Sequence, residues 1–293
     1  MTAKPVIAGT DGSAESLRAV DWAVREAVLR GLPLRIVAAA AMPPRMIERH
    51  RQDVGGLSTV SDVLRRDRDR ALGTAAERAA ATAPDLLIDV DELTGAPSHA
   101  LTEAASGASM LVVGSRGVGA FTALLLGSVS HYVSAHATCP VVVVREETTA
   151  VHRQVVVGIG DPARGAAALA FAFEEASLRH ASLIAVHALD LPRGEIATAS
   201  WDLATPGRPA LEATAARELE AMLADWQGKY PDVPVSHDVV RGHPGRALVG
   251  LSARADLVVL GRHPGHGPLP EPGAVRHAVL NHAHGPVVTV PSA

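Results

Sequence analysis

Short apolar runs alternate with longer amphipathic segments along the whole chain. The run VIAG, which ends at Gly9, contains β-branched residues and stops at a glycine-containing turn, as buried strands do. In the segment that follows, apolar residues recur at the spacing of one helical face, with Ser13 as the N-cap and Gly31 as the stop. These patterns predict a buried strand followed by a helix.

The same alternation fills the rest of the first half. The pattern predicts the strand LRIVAAA, a helix over 62–83, the strand LLIDVDELTG, the helix SHALTEAASG, the strand MLVVG, the helix SVSHYVSAHA and the strand PVVVVR. Apolar strands that alternate with helices indicate an α/β fold with a parallel, doubly wound sheet. Ligands of such sheets bind at the carboxyl ends of the strands, so the search for a site narrows to the loops there.

The second half of the chain repeats the first. The segments that end at Val144 and Val290 share their residue types at a constant offset of 146. On this offset the matching residues are Gly127, Val129, His131, His136 and Pro140 in the first copy and Gly273, Val275, His277, His282 and Pro286 in the second. The repeat predicts two tandem domains of about five strands each, over 1–147 and 153–293, with the short polar linker Glu146–His152 between them.

Composition and charge narrow the function classes. Hydrophobic residues make up 47% and charged residues 20% of the chain, which is typical of globular domains. The net charge is −4 and only 3% of residues are aromatic, so neither phosphate attraction nor base stacking favours nucleic acid as a partner. Cys139 is the single cysteine, which excludes an internal disulfide and predicts a buried packing role. The start lacks the apolar region of a signal peptide, and no apolar run could span a membrane, so we expect a cytoplasmic protein.

The segment VVGSRGVGAFTALLLGSVS, at the end of the fourth predicted strand, has the features of a phosphate-binding loop. Gly114 and Gly117 are followed, after a longer stretch, by Gly127 and Ser128 at the start of a predicted helix. Glycine lets backbone N–H groups approach an anion, and a helix N-terminus adds unpaired donors and a favourable dipole. Ser128 adds a hydroxyl donor and Arg116 adds charge. A Walker-type loop, and a G-x-G-x-x-G after the first strand, are both absent.

The motif G-x-x-G-x₉-G-S after MLVVG, together with GTDGS after the first strand, resembles the ATP-binding subgroup of the universal stress protein family. The resemblance covers both halves and implies an adenine-nucleotide alpha-hydrolase-like fold that takes ATP, alone or with Mg²⁺. It implies that the adenosine end is lined by Gly9, Asp11, Ala39 and Val113. It implies that the phosphates are surrounded by Gly114, Gly117, Gly119, Gly127, Ser128, Val129 and Ser130.

The second copy of the motif is degenerate. The offset between the copies is 149 at the first strand, 147 further along and 146 towards the end of each half, so the first-copy residues Asp11, Gly117 and Ser128 lie opposite Gly160, Pro264 and Ala274. The second loop is also one residue shorter and carries four prolines, which lack the N–H groups that wrap a phosphate. We therefore expect no ATP in this half.

Histidines concentrate in the second half, which holds ten of the 14. His263 and His266 form a pair at a possible metal-ligand spacing, and His277, His282 and His284 follow further along the chain. No cysteine or acidic residue accompanies them at a diagnostic spacing, so we predict no metal site.

Three functions are compatible with these features. The leading hypothesis is an ATP-binding regulatory protein of the stress response, in which nucleotide occupancy changes the order of the glycine loop. The alternative is a slow ATPase or a phosphoryl or nucleotidyl transferase, although the motif lacks the set of acidic and basic residues that efficient phosphoryl transfer needs. A dimerisation scaffold without nucleotide is the third. The edge strands PVVVV and PVVTV could pair the two halves as an intramolecular pseudo-dimer or join two chains as a homodimer.

Overall fold

The computed structural model describes residues 3–40, 54–117, 126–145, 150–160, 165–189, 208–241, 243–262 and 273–292. The chain divides into two compact units, Met1–Glu147 and Thr148–Ala293. Among the helices of these ranges, none combines the length and the apolar character that crossing a membrane requires.

The first unit alternates strands and helices as the hydrophobic pattern predicts. Its described elements are β1 (Val6–Gly9), α1 (Ala14–Arg30), β2 (Leu34–Ala40), α2 (Val54–Thr82), β3 (Ile88–Thr94), α3 (Pro97–Ala104), a 3₁₀ turn (Ala105–Gly107), β4 (Met110–Gly114), α4 (Ser128–His136) and β5 (Val141–Val144). The strands follow the order β3-β2-β1-β4-β5, and every pairing between them is parallel. The predicted α/β fold with a parallel sheet is confirmed.

Helices cover the sheet of the first unit. Every residue of β1, β4 and β5 is buried, which explains why these strands are continuous apolar runs instead of alternating ones. One helical layer contains α1 and α2, which contact each other, and the other contains α3 and α4. Cys139 lies buried beside β5, as the sequence predicts.

Local sequence signals determine where α1 begins and ends. The Ser13 side chain accepts a hydrogen bond of 3.2 Å from the backbone N–H of Ser16, and Gly31 adopts the left-handed conformation at φ 63°. The next helix differs from the prediction, because α2 begins at Val54 and not at 62. The added segment contains Gly55 and Gly56, which disfavour helix, so its conformation overrides its local propensity.

The second unit repeats this architecture. Its described elements are β6 (Gln154–Ile159), α5 (Ala166–Leu178), β7 (Ser182–Leu189), α6 (Arg208–Lys229), β8 (Val235–Arg241), α7 (Pro244–Ser252), β9 (Leu257–Arg262), α8 (Ala274–His282) and β10 (Val287–Pro291). The strands follow the order β10-β9-β6-β7-β8, again with parallel pairings only. Each unit therefore contains five described strands.

The strand order places a switch point in each unit. In the first unit β1 pairs with β2 on one side and with β4 on the other. The order in which the chain adds strands to the sheet therefore reverses direction at β1. In the second unit β6 lies in the same way between β7 and β9. A crevice opens at the carboxyl ends of the strands at such a point, and this is where ligands bind to doubly wound sheets.

Candidate functional site

A cavity of about 890 Å³ opens at the switch point of the first unit. Its volume lies within the range of small-molecule sites, roughly 300–1,000 Å³. Eleven of the residues that the sequence singles out line this one cavity: Gly9, Asp11, Ala39, Val113, Gly114, Arg116, Gly117, Gly127, Ser128, Val129 and Ser130. The twelfth, Gly119, lies outside the described residues.

The turn after β1 holds the Asp11 carboxylate in a defined position. Its Oδ1 accepts hydrogen bonds from the backbone N–H of Ser13 at 3.0 Å and from the Ser13 hydroxyl at 2.6 Å. The next residue, Gly12, has a φ of 80°, which favours glycine, and an added Cβ there would lie 3.1 Å from the Cβ of Ala71. The same serine that caps α1 therefore also orients the aspartate.

Asp11 and the glycine loop meet across the cavity, although they are far apart in sequence. The Oδ2 of Asp11 lies so close to Gly117 that a Cβ added to this glycine would overlap it. A side chain at 117 would displace this carboxylate, which lies at the end of a flexible side chain and can move. A larger residue at 117 would therefore change the position of the Asp11 carboxylate in the site, and the backbone could stay in place.

Gly114 is required by packing. A Cβ on this residue would lie 2.8 Å from the backbone carbon and oxygen of Glu15 and 2.9 Å from the backbone nitrogen of Ser16. These are main-chain atoms of the first turn of α1, and they cannot rotate away. Gly114 therefore allows β4 to approach the N-terminus of α1, which brings the two loops of the site together.

The first turn of α4 faces the cavity after Gly127. The N–H of Gly127 donates to the Ser115 carbonyl at 2.8 Å, and no side chain caps the helix. The Ser130 hydroxyl donates to the Gly114 carbonyl at 2.6 Å and is buried. Ser130 thus fastens α4 to the end of β4, whereas Ser128 begins the helix at the cavity.

Positive charge in this cavity is balanced by carboxylates. The Arg116 guanidinium lies 4.0 Å from the Glu15 carboxylate, which also contacts Arg18 at 3.4 Å. Both partners of the first pair are about a quarter exposed, so the interaction is weakened by solvent. Arg116 is therefore held near the glycine loop without being locked there.

The opposite end of the cavity is more apolar. It is formed by the end of β2 with Val37, Ala38 and Ala39, by Val113 on β4 and by Leu101 on α3. A Cβ on Gly9 would lie 3.2 Å from Leu101 and 3.4 Å from Val113, so this glycine leaves little room for a side chain of its own. These small and apolar residues form the apolar end of the cavity.

The sequence reasoning missed one wall of the cavity, which α2 supplies. Its residues there are Leu64, Asp67, Arg68, Arg70, Ala71 and Thr74. The Arg68 guanidinium forms an ion pair with Glu92 on β3, and its buried Nε has no hydrogen-bond partner. This stretch is charged and lacks a motif, so no sequence signal distinguishes it from a solvated helix face. Contacts made by the folded chain place it at the site.

The second unit has a much smaller cavity at its own switch point, of about 210 Å³. Gly160, which lies opposite Asp11 in the repeat, lines it, and a Cβ added to this glycine would meet no atom within 4 Å. His263 and His266, the histidine pair that the sequence analysis considered as metal ligands and set aside, lie outside the described residues, as does Pro264. Within the residues that are described, no group of three or more potential ligands could hold a metal ion.

Comparisons with known proteins agree with this architecture. The family model described as "Universal stress protein family" matches residues 2–145 and again residues 152–291. A universal stress protein of Mycobacterium tuberculosis is 35% identical over 303 residues, which cover 97% of this chain and 95% of the relative.

Two solved structures extend the comparison. A universal stress protein from Archaeoglobus fulgidus matches 98% of each chain with a TM-score of 0.72 at 17% identity, which shows the shared fold. A universal stress protein solved in complex with cAMP is 30% identical, covers 49% of this chain and 98% of its own, and has a TM-score of 0.38. The twofold family match and the extent of the mycobacterial likeness show that the chain is a tandem member of the universal stress protein family.

Proposed function

We propose that the first unit binds ATP in its cavity and that the protein uses this occupancy in regulation of the stress response. The observation that carries the proposal is the convergence of Asp11, Gly117 and the first turn of α4 on one cavity of suitable volume. These three parts of the chain are far apart in sequence, each has chemistry suited to a nucleotide, and all three line the same cavity.

The chemistry of the lining suggests the orientation of the nucleotide. A carboxylate repels phosphate but accepts hydrogen bonds from sugar hydroxyls, so Asp11 is suited to the ribose. The apolar end of the cavity, with Ala39 and Val113, would take the adenine ring. The N–H groups at Ser128 and Val129 in the first turn of α4 and the charge of Arg116 would then face the phosphates.

The residues present fit ATP with a loosely held Mg²⁺ ion. Mg²⁺ keeps several waters and is commonly bound through phosphates and one or two carboxylates. The acidic residues among the described lining are Asp11, which the proposed orientation places at the ribose, and Asp67, which is paired with Arg70. The ion would therefore be held mainly by the phosphates and would enter with the nucleotide. The ion would neutralise phosphate charge in that position.

We favour regulation over catalysis because of what the lining offers. Efficient phosphoryl transfer needs metal ligands, a positioned nucleophile and neutralisation of charge in the transition state. The cationic residues of the described lining include Arg68 and Arg116, and each is already paired with a carboxylate. A ligand shifts a conformational equilibrium only if it binds one conformation of the protein more tightly than the other. The first turn of α4 lines the cavity, so we infer that its conformation depends on whether nucleotide is bound.

The test is the nucleotide content of natively purified protein. The released ligand is separated by ion-exchange chromatography against ATP, ADP, AMP and cAMP standards. We expect close to one ATP per chain, and a loss in Asp11→Ala and Gly117→Asp. For Asp11→Ala, the loss of hydrogen bonds to a charged group corresponds to about a tenfold weaker affinity or more.

The matched control is Gly250→Asp, which makes the same substitution on α7, at an exposed position with open space around it. This variant should retain full ATP content. Two ATP molecules per chain would show that the second unit also binds. No nucleotide in the wild type, together with no binding of added Mg-ATP, would overturn the proposal.

A further inference from the structure

The wall that α2 gives to the first cavity is attached to three other parts of the first unit. Two of these attachments lie at the cavity itself. The Arg68 guanidinium forms an ion pair with Glu92 on β3. Ala71 is buried, and its Cβ lies 3.1 Å from the place that a Cβ on Gly12 would take, in the turn that follows Asp11. The wall therefore packs directly against the turn that carries the aspartate.

The third attachment joins α2 to α1. Arg78 donates two hydrogen bonds of 2.6 Å to Asp21, one from Nε to Oδ1 and one from Nη2 to Oδ2. A bidentate pair of this kind fixes the orientation of its partners as well as their distance. The Asp21 side chain is 17% exposed and that of Arg78 is 48% exposed, so solvent screens the pair only in part.

Asp21 lies on the helix whose N-terminus belongs to the site. Ser13 caps α1 and also holds the Asp11 carboxylate, and Asp21 follows about two turns later on the same helix. Neither Asp21 nor Arg78 is among the described residues that line the cavity. A change at this pair would therefore act on a bound nucleotide through the positions of α1 and α2, without the loss of a direct contact.

We propose that Asp21 and Arg78 are positioning residues of the nucleotide site, whose pair holds the α2 wall against the turn of Asp11. This inference rests on the proposed function of the first unit. Packed helices take up discrete arrangements and do not deform continuously, so a contact between two helices can determine the shape of a cavity that both border. Coupling free energy is reciprocal, so bound nucleotide would in turn stabilise the contact between α1 and α2.

The first experiment titrates Mg-ATP into the full-length protein by calorimetry and compares two variants. Asp21→Asn leaves one acceptor for Arg78 instead of two, so the bidentate pair is lost. The matched control is Asp91→Asn, because Asp91 pairs with Arg35 at 2.6 Å between β3 and β2 and neither of these residues is among the described lining.

We expect Asp21→Asn to weaken ATP affinity about 2–30-fold, the range that residues coupled to a site without contacting its ligand produce. Asp91→Asn should keep the wild-type affinity. Removal of a negative charge by itself favours an anionic ligand, so a weaker affinity of Asp21→Asn cannot be a direct effect of its charge.

Hydrogen exchange of the α2 amides separates positioning from a purely structural role. At saturating ATP the exchange over 68–82 should slow in the wild type and slow less in Asp21→Asn, since local opening of α2 is opposed by the ligand and the pair together. Gly117→Asp should show no effect of added ATP on these amides. A purely structural pair would lower the unfolding temperature of Asp21→Asn and leave both ATP affinity and the response of α2 unchanged.

The outcomes also distinguish this inference from the proposed function. Failure of the wild type to bind ATP would refute the proposed function, and the positioning role with it. If the wild type binds ATP, an unchanged affinity of Asp21→Asn, an equal loss in Asp91→Asn, or α2 amides that do not respond to ATP would each refute the positioning role alone.

Discussion

Gly114→Ala is the sharpest test of how the site is assembled. The added methyl group would lie 2.8 Å from the backbone of Glu15 and 2.9 Å from the backbone nitrogen of Ser16, well inside van der Waals contact. Main-chain atoms cannot rotate away, so either β4 or the first turn of α1 must move. Extra atoms in a well-packed interior typically cost about 1–3 kcal/mol.

This free energy converts into an observable shift. For a domain of this size, each kcal/mol lowers the unfolding temperature by roughly 2–4 °C. We therefore expect Gly114→Ala to lower the unfolding temperature of the first unit by about 2–12 °C. The displaced turn carries Asp11 and Ser13, so the ATP content should fall as well.

The control is Gly250→Ala, on the exposed face of α7, where an added Cβ meets nothing within 4 Å. Alanine is favoured over glycine in helices by about 0.5–1 kcal/mol, so this variant should be as stable as the wild type or more stable. Differential scanning calorimetry measures both variants. If Gly114→Ala unfolded at the wild-type temperature and retained its ATP, the tight approach of β4 and α1 would not be what positions the site.

Two further predictions concern buried charge and helix capping. Glu175 is fully buried and paired with Arg179, so Glu175→Ala should destabilise the second unit by about 3–5 kcal/mol. Asp62 belongs to an exposed pair, so Asp62→Ala should change the free energy of unfolding by less than about 1 kcal/mol. Urea denaturation compares the two variants, and equal effects would contradict the burial of Glu175. Ser13→Ala should lower the free energy of unfolding by about 1 kcal/mol, because α1 loses its N-cap. The variant should also bind ATP more weakly, because Asp11 loses its hydrogen bond from the Ser13 hydroxyl. Unchanged ATP affinity would show that the serine does not orient the aspartate.

The buried glutamate pair also shows how closely the units repeat each other. Glu26 and Arg30 of α1 form the same pairing, four residues apart, as Glu175 and Arg179 of α5. Both glutamates are almost completely buried. The helix that follows the first strand thus uses the same internal charge pair in each unit, while the loops around the two cavities have diverged.

The sequence alone determined the fold class and the repeat, and it predicted most residues of the candidate site. The buried strands are apolar runs, the caps of α1 are local signals at Ser13 and Gly31, and both depend on a few neighbouring residues. The glycine loop and the start of α4 were also found from sequence, because phosphate chemistry demands glycines and helix N-termini in a recognisable order. The residues of the adenosine end, Gly9, Asp11, Ala39 and Val113, came from the resemblance to the family. The pairing of the two halves stays a prediction.

Only the tertiary structure decided which surfaces meet. It placed the side chain of Asp11 against Gly117, brought a charged face of α2 to the cavity, and made Gly114 a packing residue. It also placed Arg276 on the wall of the cavity in the second unit. The physical reason is common to all of these: hydrophobic periodicity reports whether a residue is buried, whereas a contact between distant residues depends on how strands and helices are stacked in space.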